Sequence, residues 1–173
     1  ITNITGNLNV NLTGGNDIDV RLGREVGSTG SLNVTEDINL VQNSPSGNHV
    51  IRYNVEESTL SSCNNYNVTY TAGSLLLISL IENGTLIANG NIDFNSVSSG
   101  RIEMRGDDNS EIRIAGNFDR TPSAFGELDM ATTATLEFFG SAVQIFPEDA
   151  GGGGDQFDYG LVTLPQNYSN NTT

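Results

Sequence analysis

The chain has 173 residues, 36% of them hydrophobic, with a formal net charge of −14, and all seven of its basic residues are arginine. An acidic surface without lysine repels phosphate backbones and anionic lipid, which excludes nucleic acid as a partner and attachment to an anionic membrane. One cysteine, Cys63, excludes a disulfide framework within the chain, and no run reaches the ~18 to 20 apolar residues of a membrane-spanning helix.

From the first residues onward, apolar and polar positions alternate. Leu8, Val10 and Leu12 form one set, Ile18, Val20 and Leu22 a second, and Leu32 with Val34 a third. Ile51, Tyr53 and Val55 then lead to Val68 and Tyr70. A period of two predicts strands with one buried face. Residues 41–49 and 56–63 read as interrupting loops, with Cys63 a small buried or semi-exposed loop residue rather than a nucleophile. The apolar run Leu75 to Ile81 reads as one buried strand. Residues 1–83 fit either the opening coils of a solenoid or an antiparallel β-sandwich leading into one. The phrase Gly6-Asn-Leu-Asn-Val10 favours one continuous solenoid, because later phrases repeat it.

Between residues 84 and 150 the repetition is cleaner. Gly84-Thr-Leu-Ile-Ala-Asn-Gly-Asn-Ile-Asp-Phe94 is followed by Gly100-Arg-Ile-Glu-Met104 and Ser110-Glu-Ile-Arg-Ile-Ala-Gly-Asn-Phe118. Gly126-Glu-Leu-Asp-Met130, Ala134-Thr-Leu-Glu-Phe138 and Ala142-Val-Gln-Ile145 come after. Strands this short cannot hold a fold alone, so their return implies stacking, each rung covering the apolar face of the last. The chain carries 22 Asn and 20 Gly, residues that tolerate positive φ and supply the corners such stacking needs. The expected fold is therefore all-β, a parallel β-helix or solenoid of short strands with irregular corner insertions, running as one unit over 1–164. Candidate coils are 84–100, 101–126 and 127–150. Leu86, Ile92, Phe94, Ile102, Met104, Ile112, Ile114, Phe118, Leu128, Leu136, Phe138, Val143 and Ile145 are expected to point inward. Residues 151–154, four glycines, read as a loop or hinge before a last strand at 159–164, and 165–173 as a polar tail or linker.

The phrase Thr135-Leu-Glu-Phe-Phe-Gly-Ser-Ala-Val-Gln-Ile145 resembles one found in large exported surface proteins of the Bacteroidota. There a Thr-x-x-Phe strand is followed by Gly-Ser, Gln-x-Ile, a loop and a further apolar strand, a part that Phe157, Leu161 and Val162 can play here. The Gly-x-Leu and Gly-x-Ile openings and the Gly116-Asn-Phe118 closing resemble the same proteins' repeats. The resemblance covers 84–164 and implies a β-solenoid exported by type IX secretion, of the kind found in gliding-motility SprB-like adhesins.

Chemistry-bearing residues are few. The single histidine, His49, lies in a Ser/Pro/Gly/Asn stretch and reads as a solvated turn residue. Asp107 and Asp108, near Arg105, Glu111 and Arg113, form the best acidic cluster for polysaccharide cleavage, and good turn chemistry explains them as well. Calcium prefers oxygen ligands at tight corners, which makes Asp17 and Asp19 in Gly14-Gly-Asn-Asp-Ile-Asp19, together with Asp107 and Asp108, candidate Ca²⁺ ligands. No other cofactor is expected. Asn-x-Ser/Thr triplets occur at Asn3, Asn11, Asn33, Asn67, Asn83, Asn167, Asn170 and Asn171.

These features together predict a non-enzymatic structural segment of an extracellular adhesin or cell-surface filament. The alternative is a carbohydrate-binding or polysaccharide-cleaving β-helix domain. Expected partners are flanking segments of a longer chain or neighbouring subunits, and surface polysaccharide in the adhesive case.

Overall fold

In a computed structural model, described over residues 1–23, 27, 29–43, 50–72, 77–96, 101–120, 125–145, 157–158 and 161–164, the described residues are all β, without a helix. The first coil is β1 (Thr2–Ile4), β2 (Leu8–Leu12) and β3 (Ile18–Leu22). The second is β4 (Ser31–Val34), β5 (Ile38–Asn43) and β6 (Ile51–Glu56), and the third β7 (Leu60–Cys63), β8 (Tyr66–Ala72) and β9 (Leu77–Glu82). The fourth is β10 (Thr85–Ala88), β11 (Ile92–Ser96) and β12 (Arg101–Gly106). The fifth is β13 (Glu111–Ile114), β14 (Phe118–Arg120) and β15 (Phe125–Met130). β16 (Thr135–Phe138), β17 (Phe157–Asp158) and β18 (Leu161–Thr163) follow.

Each strand pairs in parallel with the strand one coil on, which builds three sheets around one core. The seven-stranded sheet is β1-β4-β7-β10-β13-β16-β18, the five-stranded sheet β2-β5-β8-β11-β14, and the six-stranded sheet β3-β6-β9-β12-β15-β17. This is the parallel β-solenoid that the alternation implied. The pairs β1–β4, β2–β5 and β3–β6 are parallel, so the antiparallel sandwich for the first half does not hold. The step between equivalent positions ranges from 33 residues (Ile18 to Ile51) to 24 (Glu111 to Thr135), and the corners absorb the difference.

The expected coil boundaries shift. One turn needs three strands, so the division at 100/101 falls inside the fourth coil, and Arg101–Gly106 is that coil's third side. The stretch 56–63 is not all loop, because β7 occupies Leu60–Cys63 and pairs with both β4 and β10. Its inward residues are Ser61 and Cys63, whose small side chains hide the alternation from an apolar reading. Their size makes room for Tyr53 and Tyr66, both fully buried. The Tyr53 hydroxyl meets Ser61 Oγ at 2.6 Å, and the Tyr66 hydroxyl meets Ser79 Oγ at 2.5 Å. These bonds tie the six-stranded sheet to the other two from inside, and the Tyr53 and Tyr66 rings meet edge to face at 5.7 Å.

Eleven of the expected inward residues, from Leu86 to Phe138, are at most 1% exposed. Val143 and Ile145 are not inward, being 70% and 56% exposed, while Gln144 between them is buried at 6%. Residues 142–145 form no strand. Gln144 turns in because its Nε2 donates to the carbonyls of Ile114 (3.1 Å) and Gly116 (2.5 Å) as the chain crosses the corner. The glycine run 151–154, the tail 165–173 and His49 lie outside the described residues.

Candidate functional site

The corner between the seven- and five-stranded sheets carries the molecule's most regular side-chain arrangement. Before each strand of the five-stranded sheet stands an Asn or Asp: Asn7, Asp37, Asn65, Asn91 and Asn117. The side-chain oxygen of each accepts the backbone N–H one coil on. Asn7 accepts from Asp37 (2.9 Å), Asp37 from Asn65 (3.0 Å), Asn65 from Asn91 (2.8 Å) and Asn91 from Asn117 (2.9 Å). Asn117 accepts from Ile145 at 3.1 Å, which continues the column into the segment beyond β16. Backbone bonds run beside it, Leu8 to Asp37, Ile38 to Asn65, Tyr66 to Asn91, Ile92 to Asn117 and Phe118 to Ile145. A corner breaks the sheet ladder and would strand its N–H groups, part-buried in the middle coils, and these side chains satisfy them.

The column explains the preceding residue in the two cleanest coils. A Cβ on Gly90 would strike Asn65 Oδ1, and one on Gly116 would strike Asn91 Oδ1. The Gly-Asn pairs visible in the sequence are therefore a fitted unit, in which glycine leaves room for the asparagine of the coil before. Glu36-Asp37 and Asn64-Asn65 depart from the pair, and that departure hides the column from a search for Gly-Asn. A second polar column runs along the outer face of the same sheet. Asn39 Nδ2 donates to Asn9 Oδ1 at 2.9 Å, and Asn67 Nδ2 to Asn39 Oδ1 at 2.8 Å. Asp93 and Asp119 extend it, and burial, then Asp119 and Asp37, raise the Asp93 carboxyl above its ordinary range.

The four candidate calcium ligands form two separate sites. Asp17 and Asp19 both meet Arg52 Nη1, at 2.9 and 3.3 Å, and Asp17 Oδ1 also accepts the Val50 N–H at 3.1 Å. The guanidinium occupies the place a cation would take between them, and the Asp17 hydrogen bond holds the Arg52 pKa above its ordinary value. Asp107 and Asp108 lie in the corner after β12, where the Asp107 carbonyl accepts from Ser110 and Asp108 Oδ1 accepts from Thr133 at 2.7 Å. Among the described residues no three His, Cys, Asp or Glu side chains converge as a metal site.

The expected association of Asp107 and Asp108 with basic residues is replaced by other pairs. Arg105 is ion-paired with the buried Glu103 on its own strand. Arg113 meets Glu137 at 2.5 Å and Glu111 at 3.8 Å, with its guanidinium 5.1 Å from the Phe139 ring centre. Asp107 instead extends a row of carboxylates down the edge of the six-stranded sheet. Glu56 stands in register with Glu82, and Asp107 follows Gly106, the partner of Ile81. Burial raises the Glu82 carboxyl above its ordinary range, Glu56, Asp107 and Glu57 add to the shift, and Arg21 opposes it. Cys63 is buried, and that burial pushes its thiol up to about 12, so it remains an unreactive thiol. A cavity of about 250 Å³ opens at the first coil, between Ile1, Leu22, Leu32 and Leu60, with Arg21 at its rim.

No protein-family model matches the chain, and comparison with curated proteins and with solved structures gives no match.

Proposed function

We propose that the chain is a non-enzymatic structural segment of an extracellular adhesin or cell-surface filament, one that supplies reach and stiffness. The observation that carries this reading is the unbroken Asx column from Asn7 to Ile145, which ties each coil to the next at one corner. Side chains that elsewhere recognise ligands are spent here on the chain itself. Asn, Asp and Arg groups make coil-to-coil bonds on the outer faces, as Arg52 does with Asp17 and Arg113 with Glu137. An array of this kind extends by adding coils, each in contact with its neighbours only. The resemblance of Thr135 to Ile145 to exported Bacteroidota surface repeats supports a cell-surface setting and type IX export.

The test is a screen of the purified chain against neutral and acidic polysaccharides, read for both binding and turnover. The structural reading expects no turnover. Cleavage that is lost on Asp107→Ala or Asp108→Ala would replace it with the polysaccharide-cleaving alternative.

A further inference from the structure

Behind the outermost strands the core is closed: Phe118, Leu128, Met130, Leu136 and Phe138 are at most 1% exposed, and the outer strand β18 has Val162 partly buried in register with Leu136. At the near end Ile4, Leu8, Ile18, Val20 and Leu22 are only partly buried. Their partners one coil on are Val34, Ile38, Ile51, Tyr53 and Val55, at 4% exposure or less. The same inward positions are thus open in the first coil and closed in the second, and only Val10 and Leu12 among the first coil's inward residues are buried.

The Asx column has a direction as well. Every ladder residue after Asn7 gives its N–H to a side chain of the coil before it. Asn7 occupies the same position, and among the described residues no coil stands before it to offer an oxygen. Among the described residues β1, β2 and β3 are also the outer strands of the three sheets, with no strand paired on their far side.

We infer that the first coil is the docking seat for a further parallel coil of the same kind, one that sets an Asn or Asp oxygen over the Asn7 N–H. Register selects this occupant over a second copy. Two copies meeting first coil to first coil would set the Asn7 N–H donors against each other and reverse the strand direction. A copy offering its far end would bring the column's last described member, Ile145, whose side chain has no oxygen to set over the Asn7 N–H. The inference deepens the filament reading and rests on it in supposing that coils add along one axis.

The experiment adds one of the chain's own coils, Thr85–Ser110, directly before Ile1. Thr85 pairs with Glu111 and Thr2 with Leu32, so in the fusion Ile1 takes the place of Glu111 and Asn7 that of Asn117. The added copy of Asn91 then stands over the Asn7 N–H. Amide exchange followed by NMR should show the Asn7 N–H at least tenfold slower than in the unextended chain. Asn91→Ala in the added coil alone should return it to the fast rate. A second fusion with Glu111–Ala134, which places Asn117 over Asn7, guards against one coil failing to fold. Fast Asn7 exchange in both fusions would overturn the inference. So would slow exchange in the unextended monomer, or slowing that appears only at high concentration, which would give the seat to a second copy. None of these outcomes depends on polysaccharide turnover, so the inference and the filament reading fail separately.

Discussion

Asn65 Oδ1 accepts the backbone N–H of Asn91 at 2.8 Å, and Asn91 Oδ1 accepts that of Asn117 at 2.9 Å. One residue type at one corner thus serves as both donor and acceptor along the axis. The Asn117 N–H is part-buried, and losing a hydrogen bond of this kind costs about 0.5–1.5 kcal/mol. Asn91→Ala should therefore lower the melting temperature by roughly 1–6 °C, at about 2–4 °C per kcal/mol for a chain of this size. Asn91→Asp keeps an oxygen in place, as Asp37 does naturally, and should recover most of that loss. Thermal melts of the two variants check the pair, and equal losses would show that the oxygen is not what matters.

Glycine at the corner is a second test. A methyl on Gly116 would overlap Asn91 Oδ1 and lie 2.8 Å from the Gly90 backbone. Gly116→Ala should cost about 1–3 kcal/mol, in the range of overpacking. Gly14→Ala, where nothing lies within 4 Å of the added carbon, should melt with the parent. Chemical denaturation midpoints measure both.

Gln144 and Val143 test the register beyond β16. Gln144→Ala removes the donor shared by the Ile114 and Gly116 carbonyls and should destabilise by about 1–3 kcal/mol. Val143→Asp changes a residue that is 70% exposed and should stay within about 0.5 kcal/mol of the parent. The opposite ranking of the two melts would restore Val143 to the core. Ile114→Asp, by contrast, puts a charge at a fully buried position and should prevent folding.

The acidic row gives a pH dependence with a defined sign. Glu82 has a raised carboxyl in the folded state, through burial and then Glu56, Asp107 and Glu57, with Arg21 opposing. The folded chain therefore holds this proton more tightly than the unfolded chain. Its contribution to stability is full below the unfolded carboxyl value and is lost as pH rises through the higher folded value. Melting temperature should rise on mild acidification from neutral pH. Glu82→Gln should raise it at neutral pH and flatten the acid dependence, and a variant less stable than the parent at neutral pH would contradict the repulsion described here.

Calcium addition tests the Asp17–Asp19 pair. Because Arg52 already bridges the two carboxylates, millimolar Ca²⁺ and chelator should give the same melting curve. A rise with Ca²⁺ that Mg²⁺ does not reproduce would assign calcium to these corners, since a ligand of the folded state stabilises by mass action.

The alternation of Leu8, Val10 and Leu12, or of Ile112 and Ile114, made the stacked strands legible, because one buried face imposes period two whatever the chain does next. Coil length was harder to read. Strand β7 buries Ser61 and Cys63 instead of large apolar residues, so its pattern is invisible until Tyr53 and Tyr66 are seen above the space they leave. Gln144 misled for the opposite reason, since the exposed Val143 and Ile145 on either side mimic a strand. The Asx column was present as Gly6-Asn7, Gly90-Asn91 and Gly116-Asn117, but its role depends on contacts 26 to 30 residues apart.

Mechanical extension of single molecules held at both ends tests the central claim most directly. A stack of coils tied by backbone ladders and the Asx column should resist pulling and then yield in steps. Each step should release one coil of 24 to 33 residues, roughly 80–120 Å of extended chain. Smooth lengthening at low force, without coil-sized steps, would contradict a segment built for reach and stiffness.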